Sequence, residues 1–122
     1  MLFRSLFAFK CSDSSSKAWV LDTGTSSHFS SSLEDLVNER RLRPGEVTLQ
    51  LSNGASVAAK AIGLTSIDLY DHDLLLENVL YIPNAFENII SVSSLTRKNY
   101  VFHFKNNVCN IIFGNEMVGM GY

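Results

Sequence analysis

Hydrophobic positions along this chain come in short runs broken by turn residues, with little of the wider spacing that marks helices. Trp19-Val-Leu-Asp22 is a brief apolar strand that ends on a carboxylate. From Val47 to Ser52 apolar and polar residues alternate, as on a half-buried strand. Asn53-Gly54 follows, a pair suited to the positive φ angles of a tight hairpin turn, and predicts a return strand over Ala55–Ala61. A further strand fits Leu64–Tyr70, with a turn at Asp71-His-Asp73. Leu74–Ile82 is almost continuously apolar, predicting a strand buried on both faces and closed by Pro83. Glu87–Ile90 re-enters the core, and Tyr100–Phe104 and Val108–Phe113 pair around Asn106-Asn107.

Helical spacing is confined to two places. Leu33, Leu36 and Val37 recur at i, i+3 and i+4, and Ser31 and Glu34 have capping-box spacing, so a helix is expected within Ser30–Arg41. A shorter one is expected over Ser91–Lys98, capped near Ser91 or Ser93. Short strands with frequent turns predict an all-β fold: a small closed or partly closed barrel with one or two short helices.

Composition narrows the class. The 122 residues allow one domain, with 46% hydrophobic and 18% charged residues in ordinary proportion. Residues 1–17 read as an apolar leader followed by a serine-rich linker, with the domain over 18–122. The leader is short and carries Arg4, unlike a secretory signal, so a frayed end, an edge strand or a gene-model artefact are the readings left for it. A net charge of −2 gives no footprint for nucleic acid and no polybasic face for a membrane, and neither partner is expected. Cys11 and Cys109 match no metal spacing, and no Asn-x-Ser/Thr acceptor occurs, so the expected setting is intracellular and cytoplasmic. No metal or other cofactor is expected. His72 and His103 lack ligand spacing, and the aromatic run Tyr100, Phe102, Phe104 reads as a core face. Arg40, Arg41 and Arg43 read as a solvated helix end.

The chemistry is concentrated in Asp22-Thr23-Gly24. An acid at the end of an apolar strand is held at a low-dielectric site, and Thr and Gly suit a tight turn. Two such carboxylates side by side titrate separately and divide acid and base roles, the arrangement of aspartic proteases. One Asp-Thr-Gly per chain requires two chains. The nearby Ser26, Ser27 and His28 lack the second glycine of a nucleophile elbow and are expected to make local hydrogen bonds below the turn.

Five blocks in order together resemble the protease region of copia-type retrotransposon polyproteins. They are Trp19-Val-Leu-Asp-Thr-Gly-Thr-Ser-Ser-His28, Leu51-Ser-Asn-Gly54, Ala61-Ile-Gly63, Leu76-Glu-Asn-Val-Leu-Tyr-Ile-Pro83 and Asn88-Ile-Ile-Ser-Val-Ser-Ser-Leu95. Thr25 stands where that family usually has Ala. The resemblance implies a retropepsin-like β-barrel, an aspartic endopeptidase that processes a Gag-Pol polyprotein as a homodimer. Asp22, Thr23 and Gly24 would be its catalytic turn, and the hairpin tip at Ser52, Asn53, Gly54 and Ala55 its substrate flap. A second reading stands beside it, a catalytically inactive β-barrel remnant or protein-interaction module of the same origin, motivated by the unrelated leader and the lack of neighbouring element domains.

Overall fold

A computed structural model describes residues 6–9, 18–50, 54–69 and 72–121. Among these residues twelve strands are formed: β1 Leu6–Phe9, β2 Trp19–Asp22, β3 Phe29–Ser30, β4 Val37–Arg41, β5 Thr48–Gln50, β6 Ser56–Ala58, β7 Ala61–Leu69, β8 His72–Tyr81, β9 Asn88–Ser91, β10 Tyr100–Lys105, β11 Val108–Phe113 and β12 Glu116–Gly121. The one α-helix among the described residues, α1, spans Val92–Thr96. The all-β class is therefore found. A closed barrel is not: the pairings of the described residues form three open sheets, ordered β1-β2-β9-β3-β8-β7-β4, β10-β11-β12 and β5-β6.

Alternation along β2 sets the layering. Trp19 and Leu21 point into the larger core cluster with Leu76, Val79, Ile90, Leu95 and Ile111, while Val20 packs on a second cluster around Phe29, Leu80, Ile82 and Ile89. The central sheet thus has apolar contacts on both faces, and β9 is buried at all four positions. β8 departs from the expected strand buried on both faces. It begins earlier, at His72, so His72 and Asp73 of the expected turn lie in the strand while Asp71 lies outside the described residues, and it alternates, leaving Leu75 49% exposed. Its continuous apolar run has another cause. The register against β7 shifts between Gly63 and Thr65, where Leu64 alone faces Glu77 and Asn78, and Asn78 takes φ 55°. This bulge reverses the pleat, so Leu74, Leu76 and Val79 share one cluster and Leu80 and Ile82 the other.

The helix expected within Ser30–Arg41 is absent. Leu33–Asp35 is a single 3₁₀ turn, Leu36 is buried, and β4 follows as an edge strand with Val37 57% exposed. Tertiary partners outcompete the helix. The Ser31 N–H donates to Asn88 Oδ1 (3.0 Å), and Thr65 Oγ1 donates to the Asp35 carbonyl (2.8 Å). Positive φ at Asn38 then turns the chain into pairing with β7. Arg40, Arg41 and Arg43 accordingly flank a strand end rather than a helix end, with Glu46 accepting from Arg40 Nη1 (2.9 Å) and the Arg43 N–H (3.1 Å). β7 starts at Ala61, three residues before the expected Leu64, and the return strand β6 is correspondingly short.

Elsewhere the expected elements form. Asn106 and Asn107, at φ 52° and 64°, make the tight turn between β10 and β11. Tyr100 and Phe102 pack on the larger cluster, whereas Phe104 is exposed. β1 lies antiparallel to β2 at the edge of the central sheet.

Candidate functional site

β2 runs parallel to β9, with Asp22 in register with Ser91. The end of the apolar strand is thereby delivered to the start of α1. Asp22 is 2% exposed, and its Oδ1 accepts the Gly24 N–H at 2.7 Å. That contact closes the Asp-Thr-Gly turn on its own carboxylate, as an Asx turn does. Thr23 is half-buried and Gly24 exposed, so the turn reaches the surface while the acid stays beneath it.

The chain leaving the turn is fastened by serines of the next block. Ser91 Oγ donates to the Thr25 carbonyl (2.8 Å) and accepts the Ser94 N–H (3.1 Å), so one hydroxyl both caps α1 and holds the loop. Ser93 Oγ donates to the same carbonyl (3.2 Å), and Ser94 Oγ donates to the Ser26 carbonyl (2.8 Å). The Thr25 hydroxyl finds the partner that a half-buried hydroxyl needs in the Ser27 carbonyl (3.4 Å).

His28 is not the local turn residue expected. It is 3% exposed, and its Nδ1 accepts the Ser91 N–H (2.8 Å) from the far strand. The acceptor at Nδ1 fixes the neutral ring with its proton on Nε2. Burial, then the charges of Arg97 and Lys98, lower its pKa from 6.5 to about 4. Below it, the buried Asn88 ties the two halves of the motif together. Its Oδ1 accepts from Ser31, and its Nδ2 donates to Asp35 Oδ2 (3.3 Å). Ser91, Ser93, Ser94 and Asn88 carried no sequence-level role as supports. The run Asn88-Ile-Ile-Ser-Val-Ser-Ser-Leu95 was the available signal, since polar residues bracketing a buried strand need partners.

The remaining candidates lie apart from this turn. Ser52 and Asn53 of the expected flap lie outside the described residues. Gly54, at φ 87°, and Ala55 are exposed on the β5–β6 hairpin, whose base is anchored by buried Leu49 and Ala59. Cys109 is buried in the main core, and that burial raises its thiol pKa to about 11. Among the described residues no group of His, Cys, Asp and Glu could hold a metal ion. Nor is any described helix long and apolar enough to cross a membrane.

These features define a small β domain built around a buried, strand-terminal carboxylate and a serine-clamped turn. The chain belongs to the Pol polyprotein, beta-barrel domain family, whose model matches residues 19–100. It is 32% identical over 87 residues to the retrovirus-related Pol polyprotein from transposon RE1 of Arabidopsis thaliana, covering 71% of this chain and 6% of that protein. The corresponding polyprotein from transposon RE2 of the same plant is 30% identical over 83 residues, covering 68% of this chain and 6% of its own length. This chain therefore spans a small part of the curated relatives it matches. No solved structure matches significantly.

Proposed function

We propose that this chain is a retrotransposon-derived aspartic endopeptidase that acts on a Gag-Pol polyprotein as a homodimer. The observation that carries this reading is Asp22, 2% exposed at the end of β2 and set in register with the capping residue of α1. Two copies would bring two Asp22 carboxylates together on a two-fold axis. One would take a proton from a water while the other, protonated, donates to the scissile carbonyl. Thr23 would hydrogen-bond across the axis, and Gly24 would let the turn bend. The β5–β6 hairpin, with its tip at Ser52–Ala55, would close over substrate and exclude water. In this reading the subunit is of the retropepsin-like aspartic protease type. It needs no cofactor, binds neither nucleic acid nor membrane, and works inside the cell.

The test is self-processing of a fusion that carries natural flanking sequence, assayed over about pH 4 to 7, where a carboxylate pair can share one proton. Asp22→Asn should abolish cleavage and leave folding intact. Equal cleavage by both proteins refutes the assignment.

One observation favours a second reading. The 2.7 Å contact from the Gly24 N–H to Asp22 Oδ1 is what a purely structural turn aspartate makes. On that basis the domain would be a catalytically silent remnant or interaction module. Asp22→Asn would then shift stability alone, in a protein that cleaves nothing in either form.

A further inference from the structure

A pocket of about 330 Å³ opens beside the clamped loop, between that loop, β8 and the end of α1. Its walls divide into two kinds. Leu75 and Leu95 supply an apolar side, while His28, Arg97, Lys98 and Glu77 supply a polar one. Lys98 Nζ is paired with Glu77, so those two charges cancel. Arg97 has no carboxylate partner among the described residues, and its Nη2 donates to Ser94 Oγ (3.2 Å). The pocket therefore carries one net positive charge.

His28 adds a fixed donor. Its Nδ1 is occupied by the Ser91 N–H, which leaves the proton on Nε2. Nε2 has no hydrogen-bond partner among the described residues, although the residue is 97% buried by its 3% exposure and lines the pocket. An N–H that no protein acceptor engages and that faces the pocket is available to an oxygen acceptor on whatever occupies it. Because the neighbouring cations also keep this ring neutral, the donor persists across ordinary pH.

We infer that this pocket is a carboxylate subsite that receives a glutamate side chain of a bound polypeptide. The short aliphatic stem would lie along Leu75 and Leu95, and the carboxylate would meet Arg97 and His28 Nε2–H. A bare inorganic anion would leave the leucine wall unused, whereas a neutral side chain would leave the Arg97 charge unanswered. That the occupant comes from a polypeptide rests on the functional reading above. The presence of the subsite does not, because it involves neither Asp22 nor catalysis.

The experiment uses the full 122-residue chain with Asp22→Asn, so that no probe is cut and failure of the endopeptidase reading leaves the test unaffected. The His28 ring resonances are followed by NMR during titration with propionate, with a hexapeptide containing one Glu, and with the same peptide containing Gln. Saturable shifts are expected with the Glu peptide and propionate and not with the Gln peptide. Arg97→Gln should weaken binding about tenfold or more, the loss of a charge-assisted hydrogen bond. Glu77→Gln, which removes the one negative charge, should tighten it several-fold, and Lys98→Gln should weaken it. Equal response to the Glu and Gln peptides, or affinity unchanged by Arg97→Gln, overturns the subsite. Saturation by propionate without the Glu peptide overturns its assignment to a polypeptide and leaves a site for a free small carboxylate.

Discussion

At Asp22 and His28 the same strand pairing produces two different outcomes for a buried polar group. Asp22 keeps a backbone donor at its carboxylate, from Gly24. His28 is held as a neutral acceptor for the Ser91 N–H, and protonation of Nδ1 would break that bond. Its pKa of about 4 lies below the 6.5 of the unfolded chain, so between these values the unfolded state binds more protons. Stability from this group is therefore complete above about pH 6.5 and is lost as pH falls toward 4. The full loss is roughly 3 kcal/mol, at about 1.36 kcal/mol per pKa unit. Urea midpoints at pH 7 and pH 4.5 should differ correspondingly, and the difference should shrink in His28→Asn, which retains an acceptor without titrating in this range. The sequence placed His28 in local hydrogen bonds below the turn, but its true partner lies 63 positions away, beyond the reach of any local pattern.

Among the elements, the β4–β7 pair shows how a small residue decides an edge. A Cβ at Gly63 would stand 2.9 Å from the Val37 carbonyl oxygen and 3.2 Å from Glu39 Cα. Both are backbone atoms, which cannot step aside as a flexible side chain can. Gly63→Ala is expected to force β4 away from β7 and cost about 1–3 kcal/mol. Chemical denaturation would measure it, and a loss confined to β4 would appear as faster amide exchange over residues 37–41. The glycine was visible in the motif Ala61-Ile-Gly63, but its reason was not, because β4 lies where the apolar spacing promised a helix. Leu33 and Leu36 do sit one 3₁₀ turn apart, so the periodicity was real over that turn. Asn88 and Thr65 then draw the segment into the sheet. The bulge at Glu77-Asn78 was hidden for a similar reason, since a reversed pleat mimics a strand that is apolar throughout.

For the whole molecule, the proposed homodimer rests on the single Asp-Thr-Gly of each chain. Val101, Met117 and Met120 are exposed on the β10–β12 sheet, and Phe113 is also exposed there. A homodimeric endopeptidase built from this chain should sediment as a monomer–dimer equilibrium, with specific activity and melting temperature both rising with protein concentration. Sedimentation velocity combined with the cleavage assay checks this. A chain that stays monomeric at the highest attainable concentration has no paired carboxylate and cannot be the enzyme proposed.

The sequence alone determined the all-β class, the strand leading into Asp22, the Asn106-Asn107 hairpin and a serine cap at Ser91 or Ser93, because each depends on neighbours within a few residues. Membership of the Pol family was likewise legible in five ordered blocks, which the match over residues 19–100 bears out. Tertiary structure decided everything that joins distant segments: the parallel register of β2 with β9, the serine clamp on the turn, the partner of His28 and the fate of residues 33–41. Hydrogen-bonding groups in buried loops are satisfied by whichever partner the fold brings near, and that proximity is a property of the assembled sheet rather than of the local chain.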